Sequence, residues 1–533
     1  MLRIQNLQIP AKHTEADLKK AAASALKINA AQIQQIKIIK RSIDARKKHD
    51  VHYIYTIDIS VDKNEAAVLK KADPKKVSVA AYKKYQLPEV TGASDYRPVV
   101  VGFGPAGMFC ALILAQAGLR PIVLERGADA ATRREKVRIM QQKGRLDPAC
   151  NVQFGEGGAG TFSDGKLTTG TKNERIPFVL ESFVRFGADE SILYDAKPHI
   201  GTDVLVDVVQ NLRREVIRLG GEVYFGTCFD QFEVKDDGVI RVSATENGTK
   251  RTFETMHVVL ATGHSARDTF ELLHAHGTKM EPKTFSMGVR IEHKQDWLNT
   301  LQFGKFKDVL PPADYKVNVN TSEGIGVYTF CMCPGGHVMA AASEVGGVVT
   351  NGMSNFAREG ENCNAAVLVT LNPEVFPDQS TLGGMYWQRE IEQTAFKAGG
   401  SNYHAPAQLV GDFLRKKKSE KLLDVKPTYK PGVTLCSLDE VLPDIIVRSL
   451  REAIPMLDRK LPGFAADSAV MTAPETRSSS PVRILRDPKT KQSETFPWLY
   501  PCGEGAGYAG GIMSAAVDGI TTAEAIIAKL NER

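Results

Sequence analysis

Apolar residues in the first 90 positions are spaced as in short strands and one amphipathic helix. Val51, Tyr53, Tyr55, Ile57 and Ile59 fall on every second position, which predicts a strand with one face in a core. A Thr-Glu-Ala-Asp sequence at 14–17 resembles a capping box that opens a helix. The pattern predicts a small α+β unit with these elements: strands at 2–9, 33–43 and 51–61, and a helix from 14 to about 28.

A different pattern begins at Val99. The run Val99–Val101 is β-branched throughout, which is typical of a strand buried on both faces of a parallel sheet. Glycines follow at 102, 104 and 107, and an apolar stretch at 108–119 predicts a helix. A second strand is predicted at 121–125, so this part of the chain is expected to be α/β.

The glycine spacing and Glu125 together indicate a dinucleotide site. Gly102 would make the turn, Gly104 would let the backbone approach a pyrophosphate, and Gly107 would let the helix pack closely on its strand. Glu125 lies 18 residues after Gly107, close to the spacing at which a carboxylate meets ribose hydroxyls. The alternative is an ordinary glycine-rich turn between a strand and a helix.

The predicted fold class is α/β: a Rossmann-like dinucleotide-binding domain interrupted by an α+β substrate domain and preceded by a small α+β domain. Strand-then-glycine patterns recur at 257–263 and at 498–507. From about 280 to 470 this alternation of strands and helices is absent, and strands are mixed with loops rich in Gly and Pro. The predicted domains are a basic N-terminal domain, the first part of the dinucleotide-binding domain, an inserted substrate or cap domain, and the C-terminal part of the dinucleotide-binding domain, at 1–90, 97–280, 281–470 and 471–533.

Composition excludes several classes of protein. The 533 residues are 43% hydrophobic and 24% charged, which is ordinary for a globular protein. No apolar run approaches the roughly 20 residues that span a membrane, and the start of the chain lacks a signal-peptide pattern. The eight cysteines are sparse and show no disulfide-scaffold spacing, so we expect a reduced, cytoplasmic protein. We expect no metal site.

Positive charge is concentrated in the N-terminal unit. Residues 1–90 contain 18 Lys or Arg against 9 Asp or Glu, a net charge of +9, whereas the whole chain has +6. A basic unit of this kind suggests contact with RNA phosphates. However, it lacks an aromatic stacking motif, and Tyr53 and Tyr55 fall on the core face. A role as a cap or protein contact is the preferred interpretation.

Four separated segments resemble the glutathione-reductase-type FAD-binding flavoproteins. They are the glycines with Glu125, the Ala-Thr-Gly at 261–263, Gly503 with Glu504, and the glycine-rich loop at 154–167. In the Gly503 segment, Glu504 stands where that group has Asp. Together with the segments at 328–336, 350–353 and 477–481, they are similar to a bacterial family of uncharacterised FAD-dependent dehydrogenases over nearly the whole chain.

This resemblance implies FAD as the cofactor and a set of residues that bind it. Glu125 would bind the adenosine ribose with Arg126 beside it, and Glu504 would bind the ribityl chain. The start of the last helix would stabilise negative charge on a reduced flavin. The predicted cofactor-binding residues are Gly102, Gly104, Pro105, Ala106, Gly107, Glu125, Arg126, Gly157, Gly158, Ser163, Lys166, Ala261, Gly263, Gly503, Glu504, Gly511 and Ile512.

Candidate catalytic residues are Cys331, Cys333 and His337. Two thiols one residue apart suggest a redox pair that passes electrons to flavin, but on a regular strand they share a face without being well placed to bond. Packing near the flavin and metal binding are the alternatives. His337 is a candidate general acid near the substrate. Arg290 and Arg477 are either a clamp for an anionic substrate or ordinary ion-pair partners.

The sequence therefore predicts an FAD-dependent oxidoreductase that passes a hydride between flavin and a small organic substrate. The sequence shows no convincing second Gly-x-Gly-x-x-Gly unit for a stably bound nicotinamide, so NAD(P)H would be a transient electron donor. Two alternatives stay open: a flavoprotein that acts on RNA with residues 1–90 as its grip, and a non-catalytic flavin-bearing sensor or interaction protein. The substrate and the oligomeric state are not predicted.

Overall fold

The computed structural model describes residues 1–62, 64–92 and 94–532. Its N-terminal unit is an antiparallel sheet of four strands in the order β2-β3-β1-β4, with two helices against one face. The predicted strands and helix are confirmed, and a further helix and a short edge strand complete a βαββαβ unit. Its elements are β1 (Leu2–Pro10), α1 (Glu15–Leu26), β2 (Ile33–Asp44), β3 (His52–Val61), α2 (Glu65–Lys71) and β4 (Val77–Val79).

The second unit is built on a five-stranded parallel sheet in the order β23-β11-β5-β6-β7, covered by helices. A three-stranded antiparallel sheet, β8 to β10, follows β7 in the chain. These elements are β5 (Val99–Val101), α3 (Pro105–Gln116), β6 (Ile122–Leu124), α4 (Ala130–Lys143), α5 (Ile176–Arg185), α6 (Thr202–Arg218), β7 (Glu222–Tyr224), β8 (Thr227–Val234), β9 (Ile240–Glu246), β10 (Thr249–Thr255), β11 (Val258–Leu260) and α7 (Arg267–Ala275).

The third unit is a seven-stranded mixed sheet in the order β14-β15-β18-β13-β21-β19-β20. Long helices pack on it and form the largest core of the molecule. Its elements are β12 (Met280–Pro282), β13 (Phe285–Lys294), α8 (Gln295–Phe303), β14 (Asn318–Asn320), β15 (Gly326–Cys333), β16 (His337–Ala340), β17 (Thr350–Met353), β18 (Asn362–Leu371), α9 (Gly383–Ala398), β19 (Ala405–Leu409), α10 (Val410–Leu414), β20 (Val433–Leu435), α11 (Asp444–Lys460) and β21 (Val470–Glu475).

The last part of the chain returns to the parallel sheet. Its elements are β22 (Val482–Ile484), β23 (Leu499–Pro501) and α12 (Ile512–Asn531). β23 pairs with β11, and α12 packs on α3, so the C-terminal segment completes the sheet that begins at Val99. This close packing needs a glycine on α12, because a Cβ at Gly519 would come 2.1 Å from the Ala106 carbonyl oxygen. The α/β class is confirmed, while the exact domain boundaries stay a prediction.

The N-terminal unit lies against the other two units. The Arg41 side chain donates to the Asp195 carboxylate at 2.7 Å, and its backbone N–H donates to the Tyr194 carbonyl. Val51 belongs to the large core of the third unit. The unit therefore supports segment 194–198, part of which lines the cavity that carries the candidate site.

Candidate functional site

A cavity of about 1040 Å³ lies between the parallel sheet and the seven-stranded sheet. This volume is just above the ~300–1,000 Å³ range of ordinary small-molecule sites. One end is formed by the turns that follow β5, β6, β11 and β23, at the carboxyl edge of the parallel sheet. Ligands bind at this edge in open α/β folds, so the cavity has the expected position.

The turn between β5 and α3 leaves a bare helix N-terminus in the cavity. Gly102 has a φ of +96°, and a Cβ there would lie 2.4 Å from the Ala261 carbonyl oxygen. Gly104 is the N-cap of α3 and makes no side-chain cap bond, while Pro105 occupies the first turn. Gly102, Gly104, Pro105 and Ala106 line the cavity. The free N–H groups and the positive dipole end of α3 suit a pyrophosphate.

Glu125 holds the adjoining loops and keeps an acceptor position open. One carboxylate oxygen accepts the backbone N–H groups of Gly127 and Gly155 at 2.8 and 2.9 Å, and the other accepts that of Phe103 at 2.8 Å. A carboxylate accepts about four hydrogen bonds, so one position remains for a ribose hydroxyl. Beside it, Arg126 lies 4.4 Å above the Phe154 ring and pairs with Asp268.

The glycine-rich loop forms a second wall. Gly158 and Ser163 line the cavity, whereas Gly157 lies behind it and donates its backbone N–H to the Phe103 carbonyl at 2.8 Å. Lys166 lines the cavity too, but its ammonium group contacts the Met332 carbonyl on β15. In this structure Lys166 therefore joins the loop to the seven-stranded sheet.

The third wall comes from β11, β23 and α12. Ala261, Gly263, Glu504, Gly511 and Ile512 line the cavity. Gly511 caps α12 without a side-chain hydrogen bond, so a second bare helix N-terminus faces the same space.

Two of the predicted glycines do not line the cavity. One supports this wall and the other supports the first turn of α3. Gly503 donates its N–H to Asp518 at 2.8 Å. Gly107 packs under the first turn, where a Cβ would come 2.0 Å from the Gly102 carbonyl oxygen. Both act as backbone supports for the residues that do face the cavity.

Glu504 is a titratable group on this wall. Burial raises the pKa of its carboxyl to about 7, although Lys283 and a hydrogen bond from the Gly511 backbone act in the opposite direction. The negative charge of Cys331 across the cavity adds to the rise. Glu504 can therefore hold or release a proton near neutral pH.

The outer end of the cavity is bounded by β15, part of which the sequence had marked as segment 328–336, and by neighbouring residues that sequence reasoning missed. Phe330 is 45% exposed there, an unusual position for a large aromatic side chain. No sequence signal marked Asp314, Tyr315, Lys316 or Arg358, because they meet β15 only when distant segments come together in the fold. The residues that line this end are Asp314, Tyr315, Lys316, Tyr328, Phe330 and Arg358.

The two candidate thiols meet at an irregularity in β15. The register with β18 shifts between Phe330 and Cys333, and Cys331 has a φ of +42°. Cys331 lines the cavity, whereas Cys333 is fully buried behind it. The Cys333 thiol donates to the Cys331 carbonyl oxygen at 3.2 Å, and the interaction of the two neighbouring thiols lowers the pKa of Cys331 and raises that of Cys333. The regular strand geometry assumed from sequence does not hold here.

The other candidate residues, His337, Arg290 and Arg477, lie outside the cavity lining or take part in buried ion pairs. His337 is exposed on β16 and is not among the residues that line the cavity, so its predicted role as a general acid has no geometric support. Arg290 pairs with Glu475 at 2.6 Å and Arg477 pairs with Glu392 at 2.8 Å, all four being buried. Both arginines are therefore ion-pair partners in this structure.

Two further expectations concern metals and membranes. Within residues 1–62, 64–92 and 94–532, no group of three or more His, Cys, Asp or Glu side chains is arranged to hold a metal ion. Among the helices of the same residues, none combines the length and the apolar character needed to cross a membrane.

Family models match all three of the units described above. A model for an FAD binding domain matches residues 95–304, and one for an FAD-dependent protein, C-terminal domain-like, matches residues 284–478. A model for a domain of unknown function matches residues 1–60. FAD is the cofactor, and the bare helix N-termini, the open acceptor on Glu125 and the size of the cavity fit it. The fold and the site thus define a flavoprotein, an FAD-dependent oxidoreductase.

The chain belongs to the same family as a protein of Clostridium beijerinckii. The two are 46% identical over 534 aligned positions, which cover 99% of each chain. That relative is described only as an uncharacterized protein. These matches establish an FAD-binding family but not the finer, glutathione-reductase-type affiliation that the motifs suggested.

The solved structures that match this chain have low sequence identity and low structural similarity to it. The OxyS anhydrotetracycline hydroxylase from Streptomyces rimosus is 18% identical, with 52% of this chain and 45% of that chain covered and a TM-score of 0.24. The chain thus spans less than half the length of that protein. A flavin-dependent brominase, Bmp2, is 13% identical, with 82% and 81% covered and a TM-score of 0.38. Scores this low carry no argument about the chain.

Proposed function

We propose that this flavoprotein passes a hydride between FAD and a small organic substrate bound at the outer end of the cavity. The observation that carries the proposal is the continuity of the cavity. It runs without a break from the bare end of α3 and Glu125 to Phe330 and Cys331 on β15. A cofactor at the first end leaves space at the second, between the two sheets.

FAD supplies the hydride chemistry when it is bound, and the protein binds and orients it. In this proposal Glu125 holds the adenosine ribose, and the first turn of α3 holds the pyrophosphate. The bare N-terminus of α12 stabilises negative charge at the pyrimidine end of the reduced flavin. Glu504 holds a proton near the ribityl chain and the ring.

The electron donor is proposed to be a nicotinamide that binds transiently. The other Gly-x-Gly-x-x-Gly spacings, at 155–160 and 505–510, lie in segments that this proposal assigns to FAD, which leaves none for a stable nicotinamide site. The outer end of the cavity is bounded by segment 196–198 and Phe330. Donor and substrate would therefore occupy this end in turn.

Anaerobic spectroscopy of the purified holoprotein tests the proposal. We expect NADH or NADPH to bleach the flavin absorbance, and at least one member of a metabolite panel to restore it under anaerobic conditions. Free FAD, treated in the same way, is the control for non-enzymatic transfer. A flavin that reacts with no donor and, once reduced by dithionite, with no metabolite would contradict the proposal.

A further inference from the structure

Cys331 and Cys333 lie at the junction between the cofactor cavity and the core of the seven-stranded sheet. Along a regular strand, residues two apart are separated by about 6.6 Å, near the upper limit of the ~4.4–6.8 Å that a disulfide spans between Cα atoms. Their side chains would also run parallel. Here the left-handed backbone at Cys331 breaks the alternation, and the Cys333 thiol donates a hydrogen bond to the Cys331 carbonyl oxygen at 3.2 Å.

The surroundings stabilise a thiolate at Cys331. The neighbouring Cys333 thiol lowers the pKa of Cys331 most, and the positive charges of Arg290 and Lys166 lower it further, against the effect of burial. Arg290 is held at this point because it donates to the Cys331 carbonyl at 2.9 Å and pairs with Glu475. A thiolate is the reactive form of cysteine, and a neighbouring thiol is the partner that a disulfide needs.

Cys331 also lines the cavity that holds the predicted flavin-binding residues. It lines the same space as Gly511 and Glu504, and its charge acts on the Glu504 carboxyl. By contrast, Cys436 directly follows β20 and does not line the cavity. The pair thus combines a reactive thiolate, a resolving thiol and access to the cofactor.

We propose that Cys331 and Cys333 form a second redox centre, which exchanges two electrons with FAD by cycling between a dithiol and a disulfide. Cys331 enters as the thiolate and Cys333 as the thiol. The sulfur–sulfur bond forms, the S–H bond of Cys333 breaks, and the electron pair passes with that proton to oxidised FAD, giving its anionic reduced form. The reverse reaction restores the thiolate and the thiol. The proposal rests on FAD binding and not on the small organic substrate.

An anaerobic dithionite titration of the air-oxidised holoprotein tests this pair. We expect the wild type to take up about four electrons per FAD, two for the flavin and two for the disulfide. Cys331→Ser and Cys333→Ser should each take up about two, while the matched control Cys436→Ser should keep about four. The FAD content of every variant shows whether it has folded.

Thiol alkylation supplies an independent readout. The air-oxidised holoprotein, denatured in acid and alkylated, should have about two fewer reactive thiols than the same protein after reduction. Peptide mapping should place both protected thiols at 331 and 333. An uptake of two electrons by the wild type, with both cysteines alkylated before reduction, would overturn the proposal. That outcome leaves the bleaching of the flavin by a nicotinamide unaffected, so the two proposals fail separately.

Discussion

Gly104 keeps the first turn of α3 open to the cavity. The structure has room for a side chain at this position, so a substitution there can affect cofactor binding without affecting folding. Its backbone is extended, and an added Cβ would meet only the Gly158 Cα, at an ordinary 3.5 Å. Gly102 and Gly107 differ, because an added Cβ there would collide with backbone atoms. Gly104 is therefore the residue at which cofactor binding can be changed without disturbing the fold.

We expect Gly104→Val to weaken FAD retention by at least about tenfold, or ~1.4 kcal/mol, because the side chain would occupy the pyrophosphate position. The melting temperature of the apoprotein should stay near that of the wild type. Flavin content after gel filtration is the measurement. Gly170→Val, at the exposed rim where a Cβ meets nothing within 4 Å, is the matched control and should retain FAD. Full flavin content in Gly104→Val would place the pyrophosphate elsewhere.

Glu504 makes the stability of the apoprotein depend on pH. Burial raises its pKa from 4.5 to about 7, so between these values the folded protein holds a proton that the unfolded chain has lost. The free energy of unfolding contributed by this group therefore falls as the pH rises from about 4.5 to 7.

We expect Glu504→Gln to remove this decline. The melting temperatures of the wild-type and Glu504→Gln apoproteins are measured between about pH 4.5 and 7. As the pH rises, the melting temperature of the variant should increase relative to that of the wild type. Glu281→Gln, which changes an exposed carboxylate paired with Arg483, is the control and should follow the wild type. Parallel curves for Glu504→Gln and the wild type would show that Glu504 titrates normally.

At the scale of elements, a buried charge network joins the cofactor unit to the seven-stranded sheet. Glu392 on α9 accepts from Arg267 on α7 at 2.9 Å and from Arg477, which follows β21. Burial alone would raise the pKa of Glu392, but the two guanidinium groups outweigh it and bring the value to about 2. The network therefore links α7 of the second unit to α9 and the end of β21 in the third unit.

We expect Glu392→Gln to destabilise the protein by about 3–5 kcal/mol, because buried Arg477 loses its carboxylate partner and Arg267 keeps only Glu344. The midpoint of urea denaturation measures the loss. Glu271→Gln removes a partly exposed carboxylate that pairs with Arg389, and it should cost less than about 1 kcal/mol. Equal small effects of the two changes would mean that the network does not hold the units together.

The elements also show how far the sequence predicts this molecule. β5, α3 and β6 were predictable because strong local periodicity and glycine spacing coincide there. The sequence also predicted that the segment around β23 joins the first sheet, since it repeats the strand-then-glycine pattern. The seven-stranded sheet was not predictable, because its strand order depends on pairings between distant segments. Nor does any local signal mark the irregularity at Cys331, which brings two thiols together.

At the scale of the whole molecule, three distant parts of the chain build one cofactor cavity, and the N-terminal unit supports its wall. Arg41, one of the basic residues of that unit, is bound to Asp195 beside the cavity. The unit lies against the large core through Val51. These contacts agree with the preferred interpretation of residues 1–90 as a cap or protein contact.

We therefore expect the holoprotein not to be retained on immobilised tRNA at physiological salt. Retention that falls steeply with salt would instead support an RNA grip, because released counterions dominate such binding. A variant with Lys47→Gln and Lys48→Gln, in the exposed β2–β3 turn, tests whether any retention comes from this unit. Lys416→Gln with Lys417→Gln, in the basic run after α10, is the control at another exposed site.

The most direct measurement is a crystal structure of the holoprotein with FAD. The account predicts the adenosine ribose on Glu125, the pyrophosphate at Gly104 and the isoalloxazine ring between Gly511 and Cys331. The space beside Phe330 should stay open for a substrate. An FAD molecule bound in the reverse direction, or with its ring outside the cavity between the two sheets, would contradict the account.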